Sequence, residues 1–566
     1  MQPFTAEGVC RVREHSAPIS TPSVIILLVT ILLIILLTPG CCGGGSSCVV
    51  PPGTYTVGGS VSGLTSSGLV LQDNLGNNLT VPANATSFTF STALASGSAY
   101  SVTVLTQPPS PAQNCSVTDG SGTVGSANVA SVQVSCVAVA AQPVAVNWTD
   151  VHQEIDGFGA SDAWIGPLSS ANQSFFFGTG NGQLGLSLLR TDVPDDADVA
   201  GDCSTVNSGC AGPYISDMQA VLANGGRVYS SPWTPPAAYE SNGLNYCTNN
   251  SGLLAADYGL YATWLANYVE SLQQENGITL YALSLQNEPD ICASYASAVW
   301  TPAEIDTFVA ENLGPTFASS NLTTLIFLPE GSGYNQMGLG STCGIDSTCN
   351  QYVGGINWHE YDANLSGNNT IAADPYPSGW PAGKKYWETE ASCGPGFGPN
   401  FCQSGFNTNI TDALDWAAVI DQRIAVDGAN AWFYWWLIDS NSTDDQGLMA
   451  NNGTIPQRAY MMGQYSKFVR PGYYRIDATH LPVASVSVSA YQSTATNTLI
   501  IIATNYSTSA VALTFNLSNA PAFSTVTPWI TSASLSLAQQ GSVPVSSNSF
   551  TYTLPAASIT TFAGTP

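Results

Sequence analysis

Basic residues are what this chain has least of. Lys and Arg together number 11 among 566 residues, against 38 Asp and Glu, and the net charge is −27. So few cations cannot neutralise a run of phosphates, which excludes nucleic acid as a partner. Charged residues of all kinds make up 9% and hydrophobic residues 44%. A large core can therefore be buried, under a surface of Ser, Thr, Asn and Gly that fits an extracellular protein tolerant of acid surroundings. No C-x-x-C occurs, and the four histidines (His15, His152, His359, His480) are scattered, which argues against a structural zinc site. A G-x-S-x-G elbow is also missing, which speaks against a serine hydrolase. GSGTVG (120–125) and GNGQLG (180–185) have the spacing of a dinucleotide fingerprint, but no helix opens after either, so both read as turns.

One long apolar run is present. VIILLVTILLIILL (24–37) follows Arg11 and Arg13 and is short for a membrane span, which needs about 20 residues. It suits the apolar part of a secretory signal. The LTPGCCGGGSSC that follows resembles a bacterial lipoprotein signal with Cys41 or Cys42 lipidated; simple cleavage and an uncleaved anchor are the alternatives. The chain is expected to be exported, to a bacterial cell surface or the extracellular space, with membrane attachment through an N-terminal lipid or anchor. Its 14 cysteines fit an oxidising compartment. Spacing suggests the pairs Cys115–Cys136, Cys203–Cys210, Cys343–Cys349 and Cys393–Cys402, which leaves Cys247 for Cys292.

Texture divides the rest. Residues 1–48 are the export segment and tether. From 49 to 140, TYTVGGSVSGL, GLVLQDNLGNNLTV, SFTF, AYSVTVLT and NVASVQVSC alternate apolar and polar residues between Gly, Asn and Pro turns, which predicts a β-sandwich spacer. It resembles the immunoglobulin-like repeats of bacterial surface proteins, and Cys115–Cys136 is expected to staple its last hairpin. From 155 to 470, eight short apolar runs alternate with helix-compatible stretches such as DYGLYATWLANYVESLQQE. The runs are IDGFGAS, LSLLRTDV, RVYSSPW, LYALSLQNE, TLIFLPE, GINWHEY, KYWETE and AWFYWWL. That pattern predicts an α/β fold, a (β/α)8 TIM barrel. Residues 141–154 and 471–566 return to alternation, in ASVSVSAY, TLIIIATNY, VALTFNL and SFTYTL, and predict a β-sandwich side domain.

Carboxylates close several of these runs: Glu288 the fourth, Glu330 the fifth and Glu390 the seventh. A glutamate there is either a polar cap or a proton handler. In barrels of this kind the C-terminal strand ends carry the chemistry. Runs four and seven would face each other across the mouth. Two such carboxylates can divide the cleavage of a glycosidic bond, one donating a proton to the leaving oxygen and the other attacking the anomeric carbon or activating water.

QEIDGFGASDAW, LSLLRTDV, SPWTPPA, LSLQNEPD, WHEYDA, YWETEAS and SKFVRPGYYRI occur in an order that resembles glycoside hydrolase family 30, the group of bacterial xylanases, β-1,6-glucanases and glucosylceramidases. The resemblance covers about 145 to 480. It implies that Glu288 is the general acid/base and Glu390 the nucleophile of a retaining mechanism that uses no metal or organic cofactor. Glu388, two residues earlier on the same strand face, is expected one layer deeper, and Glu330 to be structural or part of a subsite. Arg190 is placed to hold Glu390 ionised, or else to form an ordinary salt bridge. Asn287 suits a hydrogen bond to a sugar 2-hydroxyl. Tyr361 is positioned to donate to the nucleophile. His359 either faces the cleft or is structural. Trp233, Trp435 and Trp436 offer faces for sugar rings, with burial the other reading of Trp435.

The expected substrate is a plant or microbial polysaccharide, acted on by an endo-β-1,4-xylanase type of enzyme that is expected to be a monomer. The family's glucuronoxylanases read a uronate branch with an Arg just after strand eight; WLIDSNSTDDQG (436–447) has three Asp and no Arg there, an acidic loop expected to repel a uronate. β-1,6-Glucan or galactan and β-glucosides remain alternatives, as does a surface carbohydrate-binding protein with an inactive barrel, although both glutamates and their neighbours are retained.

Overall fold

The computed structural model describes residues 53–108, 113–194, 203–206, 212–367, 369–394, 397–439 and 444–565. The export segment and tether, with Cys41 and Cys42, lie outside these residues, as does Cys210. Among the described residues no helix is long and apolar enough to cross a membrane.

The first described stretch is all β. Ser87–Thr89, Val57–Ser62, Val129–Ala138 and Gln113–Thr118 form one four-stranded sheet; Asn77–Val81, Leu69–Asp73, Ala99–Thr106 and Ser121–Thr123 form another. Alternation turns Tyr100 and Val102 inward, where they share a core with Val57, Leu71, Phe90 and Val132. Gln113–Thr118 is not among the expected strands, because its buried positions are Gln113 and Cys115 rather than aliphatic residues. The buried Gln113 amide is satisfied by the backbone of Gly63, Thr65 and Ser66. The Cys115–Cys136 bond joins directly opposed residues of two neighbouring antiparallel strands. Those strands are not a hairpin as expected: Ser121–Thr123 lies between them in sequence and pairs with Ala99–Thr106 in the other sheet. The disulfides Cys247–Cys292, Cys343–Cys349 and Cys393–Cys402 also form.

Eight parallel strands follow the eight apolar runs: β1 (Gly157–Ser161), β2 (Leu188–Val193), β3 (Arg227–Pro232), β4 (Ala282–Ser284), β5 (Leu325–Gly331), β6 (Val353–His359), β7 (Lys385–Glu390) and β8 (Ala431–Asp439). Each pairs with the next, and β1 pairs back onto β8, with Gly157 opposite Ala431, which closes a TIM barrel. All six residues of β2 are buried. Burial on both faces is why these strands read as continuous apolar runs. At Gly159 a Cβ would lie 2.4 Å from the Leu188 carbonyl oxygen, so glycine is what lets β1 and β2 meet. The fourth run forms less strand than expected: β4 ends at Ser284, and Glu288 sits beyond it at φ 45°.

Inside the barrel Leu188, Tyr229, Ala282, Phe327, Trp387, Ala431 and Phe433 pack as a layer. Beneath them the buried Asp156 accepts from Trp387 Nε1 (2.9 Å), Lys385 Nζ (3.0 Å), Tyr281 Oη (3.1 Å) and the Arg227 guanidinium. Four donors around one carboxylate satisfy a charge that would otherwise be costly to bury. Outside, helix Tyr258–Asn276 buries Tyr261, Leu265, Tyr268 and Leu272 along one stripe and ends at Gly277, φ 67°.

The expected side sandwich is one ten-stranded sheet that runs from Gln142–Ile155 through the C-terminal strands. Val144, Val488, Ile501, Phe515 and Phe562 form its own core, while Tyr491, Ile500, Ile502 and Ile559 join the core of the barrel. Thr525–Ser532 and Ser558–Gly564 add to the strands read from sequence. Two of their buried threonines are satisfied internally: Thr531 accepts from Gln464 Nε2 and Thr561 donates to the Gln464 carbonyl, each at 2.8 Å.

Truncating the central ring of the barrel layer, Trp387→Ala, should lower stability by about 3–5 kcal/mol. An unchanged midpoint in urea denaturation would mean that the layer is not packed.

Candidate active site

The site begins with a buried cation. The Arg190 side chain, on β2, is fully buried and divides its donors among the ends of β7 and β5 and the turn after β4: Nη1 to Glu390 Oε2 (2.6 Å), Nη2 to Asn287 Oδ1 (2.6 Å) and Nε to Glu330 Oε1 (3.2 Å). Its guanidinium carbon lies 4.7 Å from the centre of the Trp233 ring and 5.3 Å from that of Trp435. Burial works against its charge, but Glu330 and Glu390 hold the proton firmly in place.

Glu330 is the counter-ion beneath the site. It also accepts from Tyr229 Oη and Ser231 Oγ, both at 2.6 Å. Against the effect of burial, Arg190, His359 and Ser231 bring its pKa down to about 2. Glu388 lies a layer down from Glu390, where it accepts from the backbone N–H groups of Glu390 (2.8 Å) and Phe433 (2.9 Å); burial raises its pKa well above the usual range.

Glu288 and Glu390 face one cavity of about 540 Å³. His359 stands between them, its Nδ1 3.1 Å from Glu288 Oε1 and its Nε2 3.6 Å from Glu390 Oε2. One carboxylate oxygen of each glutamate and one imidazole nitrogen all lie within 4.8 Å of one another. Three such groups have the spacing of metal ligands. The surrounding carboxylates outweigh burial and raise the His359 pKa to about 10, and with the imidazole protonated the three form an ion-paired network.

Tyr361 donates to Glu390 Oε1 at 2.6 Å, and Tyr295 donates to Glu288 Oε2 at 3.1 Å. Burial disfavours charge on both glutamates. At Glu288 the hydrogen bonds from His359 and Tyr295 prevail and lower its pKa; at Glu390 burial prevails over His359 and Arg190 and raises it.

Trp233, Asn287, Tyr361, Trp435 and Trp436 line this cavity with the two glutamates. The Trp436 indole N–H is fixed to the Ala163 carbonyl at 2.8 Å. Arg190 and His359 lie in the wall behind it. Trp164, Tyr295, Ser332, Phe397 and Gln446 also line it and were not expected. Trp164 ends the QEIDGFGASDAW stretch, in the turn beyond the end of β1, at φ 65°. Left-handed backbone recurs at Glu288 (45°) and Glu330 (58°), a concentration of strain typical of functional sites. Two further cavities adjoin: one of about 570 Å³ shares Trp164 and Tyr295, and one of about 370 Å³ shares Phe397.

The acidic loop after β8 differs from the expectation of a repelling face. Asp439, Asp444 and Asp445 are all buried, and Asp445 pairs with Arg458 at 3.0 Å. Burial raises the pKa of Asp444 and of Asp445 to about 6.

Glu330 makes the network sensitive to acid. Its folded pKa of about 2 lies below the ordinary 4.5, so its contribution to stability is present above the unfolded value and is lost as pH falls towards about 2. Glu330→Gln should flatten the loss of stability across that window in acid-unfolding curves. A slope equal to that of the wild type would place the responsible proton elsewhere.

The Glycosyl hydrolase family 30 TIM-barrel domain matches residues 193–403. The chain is 34% identical over 430 residues to glucuronoxylanase XynC of Bacillus subtilis (strain 168), covering 75% of this chain and 92% of that protein. Among solved structures it is similar to the family 30 subfamily 8 xylanase Xyn30A from Clostridium acetobutylicum, at 30% identity and a TM-score of 0.63, covering 75% of this chain and all of that one (100%). A family 30 endoxylanase from Clostridium papyrosolvens C71 is similar at 31% identity and a TM-score of 0.62, again with 75% of this chain and 100% of that one. With a closed barrel, two glutamates over one cavity and this degree of likeness, the chain belongs to glycoside hydrolase family 30 and is a glycosidase.

Proposed function

We propose that the protein is a retaining endo-β-1,4-xylanase that does not require glucuronic acid branches, with Glu390 as nucleophile and Glu288 as general acid/base. The observation that carries the mechanism is the approach of the two carboxylates within 4.8 Å of each other. Retention is associated with a separation of about 5 Å, since a larger gap would be needed to seat a water. In the first step Glu390 attacks the anomeric carbon while Glu288 gives its proton to the leaving oxygen; in the second, Glu288 takes a proton from the water that releases the sugar. The reaction needs the pair's proton on Glu288. Arg190 and Tyr361 favour that outcome because both donate to the Glu390 anion. Asn287, its Oδ1 held by Arg190, keeps its amide N–H groups for a sugar 2-hydroxyl. Trp233, Trp435, Trp436 and Trp164 offer faces to sugar rings.

Xylan as substrate is supported by the xylanase relatives, and attack within a chain by the open cavities on either side of the catalytic one. Indifference to uronate is supported by the cations themselves. Apart from Arg11 and Arg13, the basic residues are Arg190, Arg227, Lys384, Lys385, Arg423, Arg458, Lys467, Arg470 and Arg475. Of these Arg190 alone belongs to the site, and it is already shared by two carboxylates. Arg458, the one nearest the loop after β8, is committed to Asp412 and Asp445. The chain is further proposed to be exported, attached to the membrane by lipid on Cys41 or Cys42, and to act as a monomer. Loss of membrane association in Cys41→Ala/Cys42→Ala is the expected result, and an unchanged membrane fraction would rule the lipid out.

Glu390→Ala should reduce turnover of xylan by at least about 10⁴-fold; turnover near the wild-type rate would refute the assignment. Glu288→Ala should slow substrates with poor leaving groups far more than activated aryl glycosides, and added azide should yield a β-glycosyl azide. Equal losses on both substrates would point to another proton donor. Rates on unbranched xylan should match those on glucuronoxylan, and a strong preference for the branched polymer would overturn the uronate reading.

A further inference from the structure

Tyr295 occupies a position that the mechanism above does not require. Its hydroxyl donates to Glu288 Oε2, while its ring, 45% exposed, forms part of the wall shared by the catalytic cavity and the 570 Å³ cavity beside it. A sugar chain that crosses from one cavity to the other must pass this side chain. The loop that bears it is held from both ends. Cys292 is bonded to Cys247, in the loop after β3, and Tyr246 forms a bridge with Ala296. Ser297 Oγ accepts from the Cys247 and Ala293 N–H groups. The ring edge meets Trp164, with centroids 6.2 Å apart. A tyrosine on a free loop could not keep a hydrogen bond to one carboxylate oxygen; this loop is cross-linked where it matters.

We propose that Tyr295 is a positioning residue for the proton donor, one that holds Glu288 Oε2 in the empty enzyme and is displaced from it by the bound sugar chain, with the Cys247–Cys292 bond fixing its place. This rests on Glu288 being the general acid/base. The leaving oxygen needs the face of Glu288 that Tyr295 occupies, because His359 holds the other oxygen at 3.1 Å. The remaining groups around Glu288 come from the barrel: Arg190 from β2, Glu330 from β5, His359 from β6, Glu390 from β7, and Tyr361 just after β6. None of these moves with the loop. Besides Glu288, the acids that act on the Tyr295 hydroxyl are Glu390 and Asp290. Tyr295 donates to the charged form of Glu288, so it favours loss of the proton before substrate arrives, and its departure returns the donor to its protonated form.

The test is the pH dependence of Tyr295→Phe on a xylo-oligosaccharide, because kcat/KM reports the free enzyme and kcat the complex. Without the hydroxyl the Glu288 anion loses a donor, so the alkaline limb of kcat/KM should move up by about 0.5–1 pH unit. The alkaline limb of kcat should stay in place, since the contact is already broken in the complex. If neither limb moves, Tyr295 does not position the donor; if both move together, it is not displaced. Cys247→Ala/Cys292→Ala should reproduce the kcat/KM shift, and a limb that stays at the wild-type position in a folded double variant would remove the disulfide from the proposal. Azide rescue of Glu288→Ala separates the two levels: without a glycosyl azide the acid/base assignment itself fails, and with one only the role of Tyr295 is at stake.

Discussion

A single buried guanidinium organises the catalytic end of this barrel. Arg190 reaches Glu330, Glu390 and Asn287 from β2, and so ties together side chains from β2, β5, β7 and the turn after β4. An ion pair in so dry a place gains less than its Coulomb energy suggests, because both partners lose their water. What it secures is geometry. Two carboxylates so close would repel each other, and the site keeps them together with Arg190 below and His359 between. Glu330 completes the balance: it supplies a permanent negative charge beneath the site, so the network carries two cations against three acids and one proton can pass between the upper two.

The fold was legible because its signals are short-range. Eight buried parallel strands gave eight apolar runs, and the alternating strands of the flanking sheets gave a period of two. What escaped were strands in which polar residues share the buried positions, Gln113–Thr118 and Ser558–Gly564, since a buried Gln or Thr looks like a surface residue in sequence. The glutamates were legible for a different reason. They stand at strand ends, and the motifs around them are distinctive.

The aromatic wall and the acidic loop were not. Trp164, Tyr295 and Phe397 come from loops whose course no periodicity records, and they meet Glu288 and Glu390 only through tertiary packing. Asp439, Asp444 and Asp445 misled because sequence gives the charge of a residue and not the direction it faces; Arg458, distant in the chain, draws Asp445 inward.

The scarcity of Lys and Arg has a physical consequence for how the cavity holds a ligand. The contacts offered to substrate in the cavity are ring faces and hydrogen bonds, and the ion pairs that shape it are buried, where dissolved electrolyte does not screen them. Such a cleft should hold its ligand as well in brine as in fresh water. Meanwhile the strongly acidic exterior keeps the molecule off other polyanions, leaving it free to diffuse along uncharged fibres.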